Sequence, residues 1–422
     1  MLSIKLFPAE YGDCILLSIG KENQYNILID GGLSKTYQKH IKSEIHHIKK
    51  MKQKIGLVVC THMDNDHICG LIQLLKETSS DFVENIWYNG FLQIVNSRFY
   101  SQKHNSFTDR DNKILDEIIS QGMISDTKQE IGINEGMSLG VLIEESKIPL
   151  NLVVEGQAIC SELVENRHEI APNIFITVLG PSQNNIRELE EHWKKDMVSR
   201  NYMFRVSDKI KLTEAFEYQI ERIKSIYTNE SFKISENEDL MKYIGELAER
   251  DESIANKSSI SFILEYNDRK YLFLGDTVID KTVLKNIENV VGFEYRFSAI
   301  KLPHHGSRYN ITHDFIGRYS ADEYYCLTNS VKYGHPDLEV LAAILCRDSK
   351  FKKLIFNYPI DKAYFLNKEE WKENTIMRLS LVMEKPWWKG CSNEKNSYRS
   401  NNTRWKSYGN RVSCRTGYCN DG

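Results

Sequence analysis

The sequence predicts a layered α/β sandwich. Two observations carry that expectation. Strand-like apolar runs alternate with helix-like stretches along most of the 422 residues, the pattern of helices packed on sheets. Several of those runs also end in an acid or a histidine, which places reactive groups at strand tips. At 41% hydrophobic and 27% charged, the composition is that of an ordinary folded chain. The length suits one large domain with insertions, or two domains. A net charge of -3 gives no overall basic field for bulk nucleic-acid binding, so any such binding would rest on a local patch.

The first thirty residues read as three strands, "LSIKLF", "CILLSI" and "YNILIDGG", with turn residues between them. "SKTYQKHIKSEIHHIKKMKQK" has apolar residues at helical spacing and many lysines, an exposed amphipathic helix. "IGLVVC" is a buried strand, and "HICGLIQLLKET" is a helix starting where the following loop ends. A strand ("NIWYNG"), a helix ("NKILDEIISQG") and a strand closed by Gly-Pro ("IFITVLGPS") come next. From about 183 to 257 the chain turns charged and helical, read as an insertion into the domain. Strands resume with "SSISFILEY" and "KYLFLGD", followed by the helix "VLKNIE", the strands "FSAIKLP" and "DEYYCLT", and the helix "DLEVLAAILCR".

The expected organisation is therefore a domain over 1–383 and a tail over 384–422. The tail is basic, rich in Asn and Ser, and interspersed with Trp and Tyr. It reads either as a loosely ordered terminus or as a surface on which single-stranded nucleic acid could stack. The nine cysteines are scattered, several inside apolar runs, which fits reduced thiols in a cytoplasmic protein. No stretch approaches the roughly 20 apolar residues of a membrane span, and no secretory leader is visible, so no membrane partner is expected.

The segment "THMDNDHICG" sets His62, Asp64, Asp66 and His67 on a strand-to-helix loop. There, side chains escape the alternation of a strand and can converge on one point. Imidazole nitrogen and carboxylate oxygen are ligands of zinc, manganese and iron, and a cation would offset the repulsion between neighbouring acids. A polar turn capping the helix is the plainer alternative. The rest of the chain weighs against it: "YLFLGDTV" delivers Asp276, "AIKLPHHGS" delivers His304 and His305, and "ILIDGG" delivers Asp30, each at the end of an apolar strand.

The order "IDGG", "THMDNDHICG", "FLGD", "LPHHGS" and "YGHP" resembles the metallo-β-lactamase superfamily, and within it the hydrolase domain of bacterial DNA-uptake competence proteins. "FPAEYGDCILLSI" resembles that group's opening hairpin. The resemblance implies a four-layered αββα sandwich with a helical insertion and two divalent metal ions, zinc or manganese. It assigns His62 and Asp64 to the first metal, Asp66 and His67 to the second, and Asp276 to both. His304 is favoured to complete the second site, with His305 beside it. Asp30 would orient a ligand histidine or its loop. Asp66, His305 and His335 are the candidate catalytic residues. Two departures from the superfamily stand out. Asp64 replaces its commoner His, which shifts preference from zinc toward harder metals. No further His in a ligand-like setting stands between His67 and Asp276, so the first metal is expected to be weakly held.

The resemblance implies hydrolysis by a hydroxide held on the metals, with a phosphodiester in DNA or RNA as the expected substrate. A small-molecule phosphodiesterase or esterase is the rival enzyme. A protein that binds a partner through its helical insertion, around a degenerate metal site, is the rival of another class.

Overall fold

The apolar runs are long because their strands are buried on both faces. The computed structural model describes residues 1–95, 109–124, 138–204, 208–222, 243, 251–347, 350–366, 379–383 and 412–413. In the first sheet β1 (Leu2–Leu6), β2 (Ile15–Ile19), β3 (Tyr25–Ile29), β4 (Ile55–Val59) and β5 (Ile86–Trp87) lie in chain order. β1 to β3 are antiparallel, and β3, β4 and β5 are parallel.

The second sheet also follows chain order: β6 (His168–Ala171), β7 (Ile174–Gly180), β8 (Ser261–Tyr266), β9 (Arg269–Phe273), β10 (Tyr295–Lys301), β11 (Tyr319–Cys326), β12 (Lys352–Phe356), β13 (Leu379–Met383) and β14 (Val412–Ser413). Strands β9 to β13 are parallel. Most of the expected tail lies outside the described residues; Val412–Ser413 pairs with β13.

Alternation along the strands divides the apolar side chains among three cores. Leu17, Ile27, Ile29, Leu57 and Val59 of the first sheet meet Ile176, Phe262, Leu264 and Phe273 of the second between the sheets. Leu16, Leu28 and Val58 point the other way, under α1 (Lys42–Lys50) and α2 (Asn65–Glu77). On the far side, Ile263, Leu272 and Ile300 pack beneath α7 (Lys281–Val291) and α8 (Leu338–Cys346). Three cores separate four layers, and the order is αββα.

Between these helices in the chain come α3 (Asp109–Ile124), α4 (Leu139–Ser146), α5 (Gln183–Ser199) and α6 (Lys209–Arg222). The stretch read as an insertion is thus partly a structural wall. Trp193 of α5 is fully buried and packs edge-on against Phe91 and Phe216 in the core that also holds α2. Helix α4 has no counterpart among the sequence-read elements, and its stabilisation is long-range. Glu217 of α6 accepts hydrogen bonds from the first backbone amides of α4, Leu139 at 2.9 Å and Gly140 at 2.7 Å, and from the Tyr88 hydroxyl at 2.6 Å. A carboxylate at a helix N-terminus satisfies otherwise unpaired amides.

Burial pushes the Glu217 carboxyl up to about 7, against the pull of those hydrogen bonds. A carboxyl whose pKa is raised by folding stabilises the protein fully below its unfolded value, and the contribution is lost as pH rises through the folded one. A shift of this size corresponds to about 3 kcal/mol. Urea unfolding between about pH 5 and pH 8 should show stability falling toward the alkaline end, and Glu217→Gln should flatten that slope. An unchanged slope in the variant would place the pH dependence elsewhere.

Candidate metal centre

Strand register brings the polar residues together. Parallel pairing of Ile29 with Val59 sets Asp30 beside Thr61, and pairing of Phe273 with Lys301 sets the Asp276 loop beside His304. Close backbone approach does the rest. A Cβ on Gly70 would lie 1.8 Å from the Gly31 carbonyl oxygen, and one on Gly12 would lie 1.9 Å from that of Asp66. The glycines of "HICG" and "EYGDC" therefore seat the His62–His67 loop against β3 and the first hairpin. The hairpin in turn delivers Asp13.

At the centre stands Asp276, buried, with four imidazoles around one of its oxygens. From Oδ2, the Nε2 atoms lie at 3.5 Å for His67, 3.8 Å for His62, 3.8 Å for His305 and 3.9 Å for His304. Three of the rings turn their other nitrogen outward to a hydrogen-bond partner. His67 Nδ1 meets Asp30 Oδ2 at 2.9 Å, His62 Nδ1 meets Thr61 Oγ1 at 3.1 Å, and His304 Nδ1 meets Asn310 Oδ1 at 3.0 Å. His305 Nδ1 lies 3.3 Å from Asp13 Oδ1. Asp30 is itself fixed, since it accepts the Thr61 amide and hydroxyl, both at 2.8 Å.

Asp66 Oδ2 lies 3.9 Å from His67 Nε2, and Asp64 Oδ2 lies 3.6 Å from His62 Nε2. Lys301, almost completely buried, pairs with Asp13, donates to the Gly275 carbonyl at 2.8 Å and approaches Asp276 Oδ1 to 3.7 Å.

These contacts dominate the electrostatics. Burial alone would raise the Asp276 carboxyl, but the imidazoles of His67, His305 and His304 outweigh it and hold the group well below the usual range. Burial also opposes ionisation of Asp13, yet Lys301 and His305 bring it down to about 2. Burial would lower the Lys301 ammonium, but Asp13 and Asp276 raise it. At His335 burial prevails over Asp337 and lowers the pKa, favouring the neutral ring.

Within the protein, Nε2 of His62, His67 and His305 and the remaining oxygen of Asp276, Oδ1, are buried without a hydrogen-bond partner. An unsatisfied buried polar atom costs about 1–3 kcal/mol, and several converging on one point is the arrangement a cation resolves. His62, His67 and Asp276 form one group with ligand atoms within 4.8 Å of one another, and Asp66, His67 and His305 form another. The donor set, imidazole and carboxylate, fits a divalent cation.

Residues 8–80 match the metallo-beta-lactamase superfamily model. No curated protein matches the chain. The matched stretch runs from the first hairpin through β2, β3 and β4 to the end of α2, and it contains His62, Asp64, Asp66 and His67. Together, the superfamily match and the His/Asp groups point to a metal-dependent hydrolase of metallo-β-lactamase architecture.

The geometry differs from the sequence reading at the tandem histidines. His305, not His304, groups with Asp66 and His67. His304 is the more exposed of the two, 16% against 1%, its ring centroid 5.2 Å from that of His335. His335 stands beside the cluster, with Nδ1 3.5 Å from Asp337 Oδ2.

Four neighbours escaped the sequence reading. Asp13 and Lys301 carried signals, an acid in a Gly-Asp hairpin and a lysine inside an apolar strand. Asn310 and Asp251 carried none. Asp251 Oδ2 lies 3.6 Å from His304 Nδ1 and also accepts from Asn256.

Because Asp30 holds the His67 proton on Nδ1 and leaves Nε2 as the donor atom, Asp30→Asn should weaken divalent-metal binding by about 10–100-fold. Chelator competition with Mn²⁺ measures this. Unchanged affinity would mean that Asp30 serves the loop alone.

Proposed function

We propose that the chain is a metal-dependent phosphodiesterase whose substrate is nucleic acid. The observation that carries this reading is the convergence of four Nε2 atoms on Asp276 Oδ2 at 3.5–3.9 Å, flanked by Asp64 and Asp66. Ligand atoms sharing a cation at about 2.0–2.2 Å come to lie at such separations. A pair of divalent cations, zinc or manganese, is the proposed complement, held by His62, His67, His305, Asp64, Asp66 and Asp276. Bound there, the cations supply Lewis acidity and lower the pKa of a water.

The residues around the cluster suit an anionic, planar substrate. Tyr333 stacks on His335 at 6.3 Å and meets Tyr11 edge-on at 5.9 Å. The Lys332 ammonium stands 4.1 Å from the Tyr11 ring centre and 4.9 Å from that of Tyr333. A base can stack on such a platform, and an ammonium attracts a phosphate as a point charge. His335, neutral and next to His304, is placed to exchange a proton with a leaving oxygen. His305 is tied to Asp13 and Asp276, which fits holding a cation better than proton transfer.

The test is hydrolysis of bis-p-nitrophenyl phosphate and of single- and double-stranded DNA and RNA, each with Zn²⁺, Mn²⁺ or EDTA. Metal-dependent cleavage of both ester and polymer is expected, with Asp66→Ala and His67→Ala each losing about 10³-fold or more, the several kcal/mol a Lewis acid contributes. Cleavage of the small ester alone would favour a small-molecule phosphodiesterase. No turnover with any metal would overturn the hydrolase reading in favour of partner binding.

A further inference from the structure

The tandem His304–His305 does more than a single strand-end histidine can. In extended chain, consecutive side chains face opposite ways, so one of the two would point away from the centre. Here both residues take the left-handed conformation, His304 at φ 44° and His305 at φ 58°, which costs non-glycine residues roughly 1–3 kcal/mol each. The turn is held by the His304 amide on the Gly275 carbonyl and the Ser307 amide on the His304 carbonyl, both at 3.0 Å. As a result both rings face Asp276 Oδ2, at 3.9 and 3.8 Å.

The two rings have different company. His305 lies with Asp66 and His67, and with Asp276 they make a full set of four ligands. His62 has Asp64 at 3.6 Å and Asp276 at 3.8 Å, three protein ligands once Asp276 is shared, one fewer than the set around Asp66. Among the described residues no histidine other than His62, His67 and His305 enters the close-set groups, and His304 is the further ring that faces Asp276 Oδ2, at 3.9 Å.

The surroundings of His304 fix which nitrogen it offers. Its Nδ1 faces two acceptors, Asn310 Oδ1 at 3.0 Å and Asp251 Oδ2 at 3.6 Å, while the Asn256 amide, 3.4 Å away, donates to Asp251. Asn310 is held in turn, with Nδ2 3.1 Å from the Asp276 carbonyl. The ring proton therefore sits on Nδ1, and Nε2 presents its lone pair toward Asp276. A proton donor would need the opposite tautomer.

We infer that the tandem is divided between two cations, with His305 serving the one at Asp66 and His67, and His304 serving as the fourth protein ligand of the one at His62 and Asp64, the two cations sharing Asp276. Asp251 and Asn310 act as positioning residues that aim His304. This rests on the two-cation reading above, and stoichiometry separates the two.

Purified apo-protein is titrated with Mn²⁺ by calorimetry, and bound metal is counted by elemental analysis after dialysis. Wild type should take two equivalents. His304→Gly, which suits the left-handed backbone, should take one, with the tighter step within about 3-fold of wild type, and adding His62→Ala should remove nothing more. Asp251→Asn keeps the side-chain volume and should weaken only the weaker step, by about 10-fold or more. Thermal unfolding of the apo forms checks that each variant is folded, and the Asp251 variant carries the test if His304→Gly is not. Two equivalents of unchanged affinity in His304→Gly, or in Asp251→Asn if that variant carries the test, would overturn the division alone. So would complete loss of metal from a folded His304→Gly. A single equivalent in wild type, or none, would overturn the two-cation reading with it.

Discussion

Burying several carboxylates within a few ångströms of one another is the constraint to which the rest of the structure answers. Asp13, Asp30, Asp66 and Asp276 are each at most 4% exposed. A desolvated carboxylate costs several kcal/mol unless it is paired, and neighbouring acids add repulsion. Three of the four therefore have a named compensation. Asp30 takes a backbone amide, a hydroxyl and an imidazole; Asp13 takes Lys301 and His305; Asp276 takes Lys301 and four rings. Half-satisfied networks of this kind are costlier than an apolar core, so the cluster is intelligible only if something else completes it.

No single element could gather these groups. The first hairpin, β3 and β4 bring Asp13, Asp30 and the His62–His67 loop, all from one sheet; β9 and β10 bring Asp276, Lys301 and the tandem histidines from the other. The centre exists only at the seam where the sheets meet, and its geometry depends on the inter-sheet core of Leu57, Val59, Phe262 and Phe273. Close-packed interiors transmit small displacements. A cavity cut into that core would shift one half of the ligand set against the other without touching a ligand.

What the sequence disclosed follows from how local each feature is. Strands buried on both faces leave uninterrupted apolar runs, so β4, β7, β8 and β9 and the residues at several strand tips were legible. The four-layer order was implied by resemblance and is spelled out physically by the division of side chains among three cores. Helix α4 was illegible because its first turn is satisfied by Glu217, 78 and 77 residues farther along the chain. Lys301 was visible as a charge in an apolar strand, but only pairing with Asp13 across the seam gives it meaning. The tandem histidines were legible as a pair, while their division depends on a left-handed turn that no spacing rule announces.

Charge also favours a pair of cations over one. Asp13, Asp30, Asp64, Asp66, Asp251 and Asp276 set six carboxylates against the one ammonium of Lys301 within this connected cluster. One divalent cation would leave three negative charges uncompensated in a low-dielectric seam, and two would leave one. The same economy explains the partners behind the rings. Carboxylates stand behind His67 and His305, whereas His62 leans on a hydroxyl and His304 mainly on an amide, with Asp251 shared among Asn256, Asn310 and the ring. A closer carboxylate at every ring would raise each imidazole's basicity, but it would also add charge that two cations could not cancel. Neutral partners orient a ring without that cost, and they are found on the side of the cluster where the ligand set is thinnest.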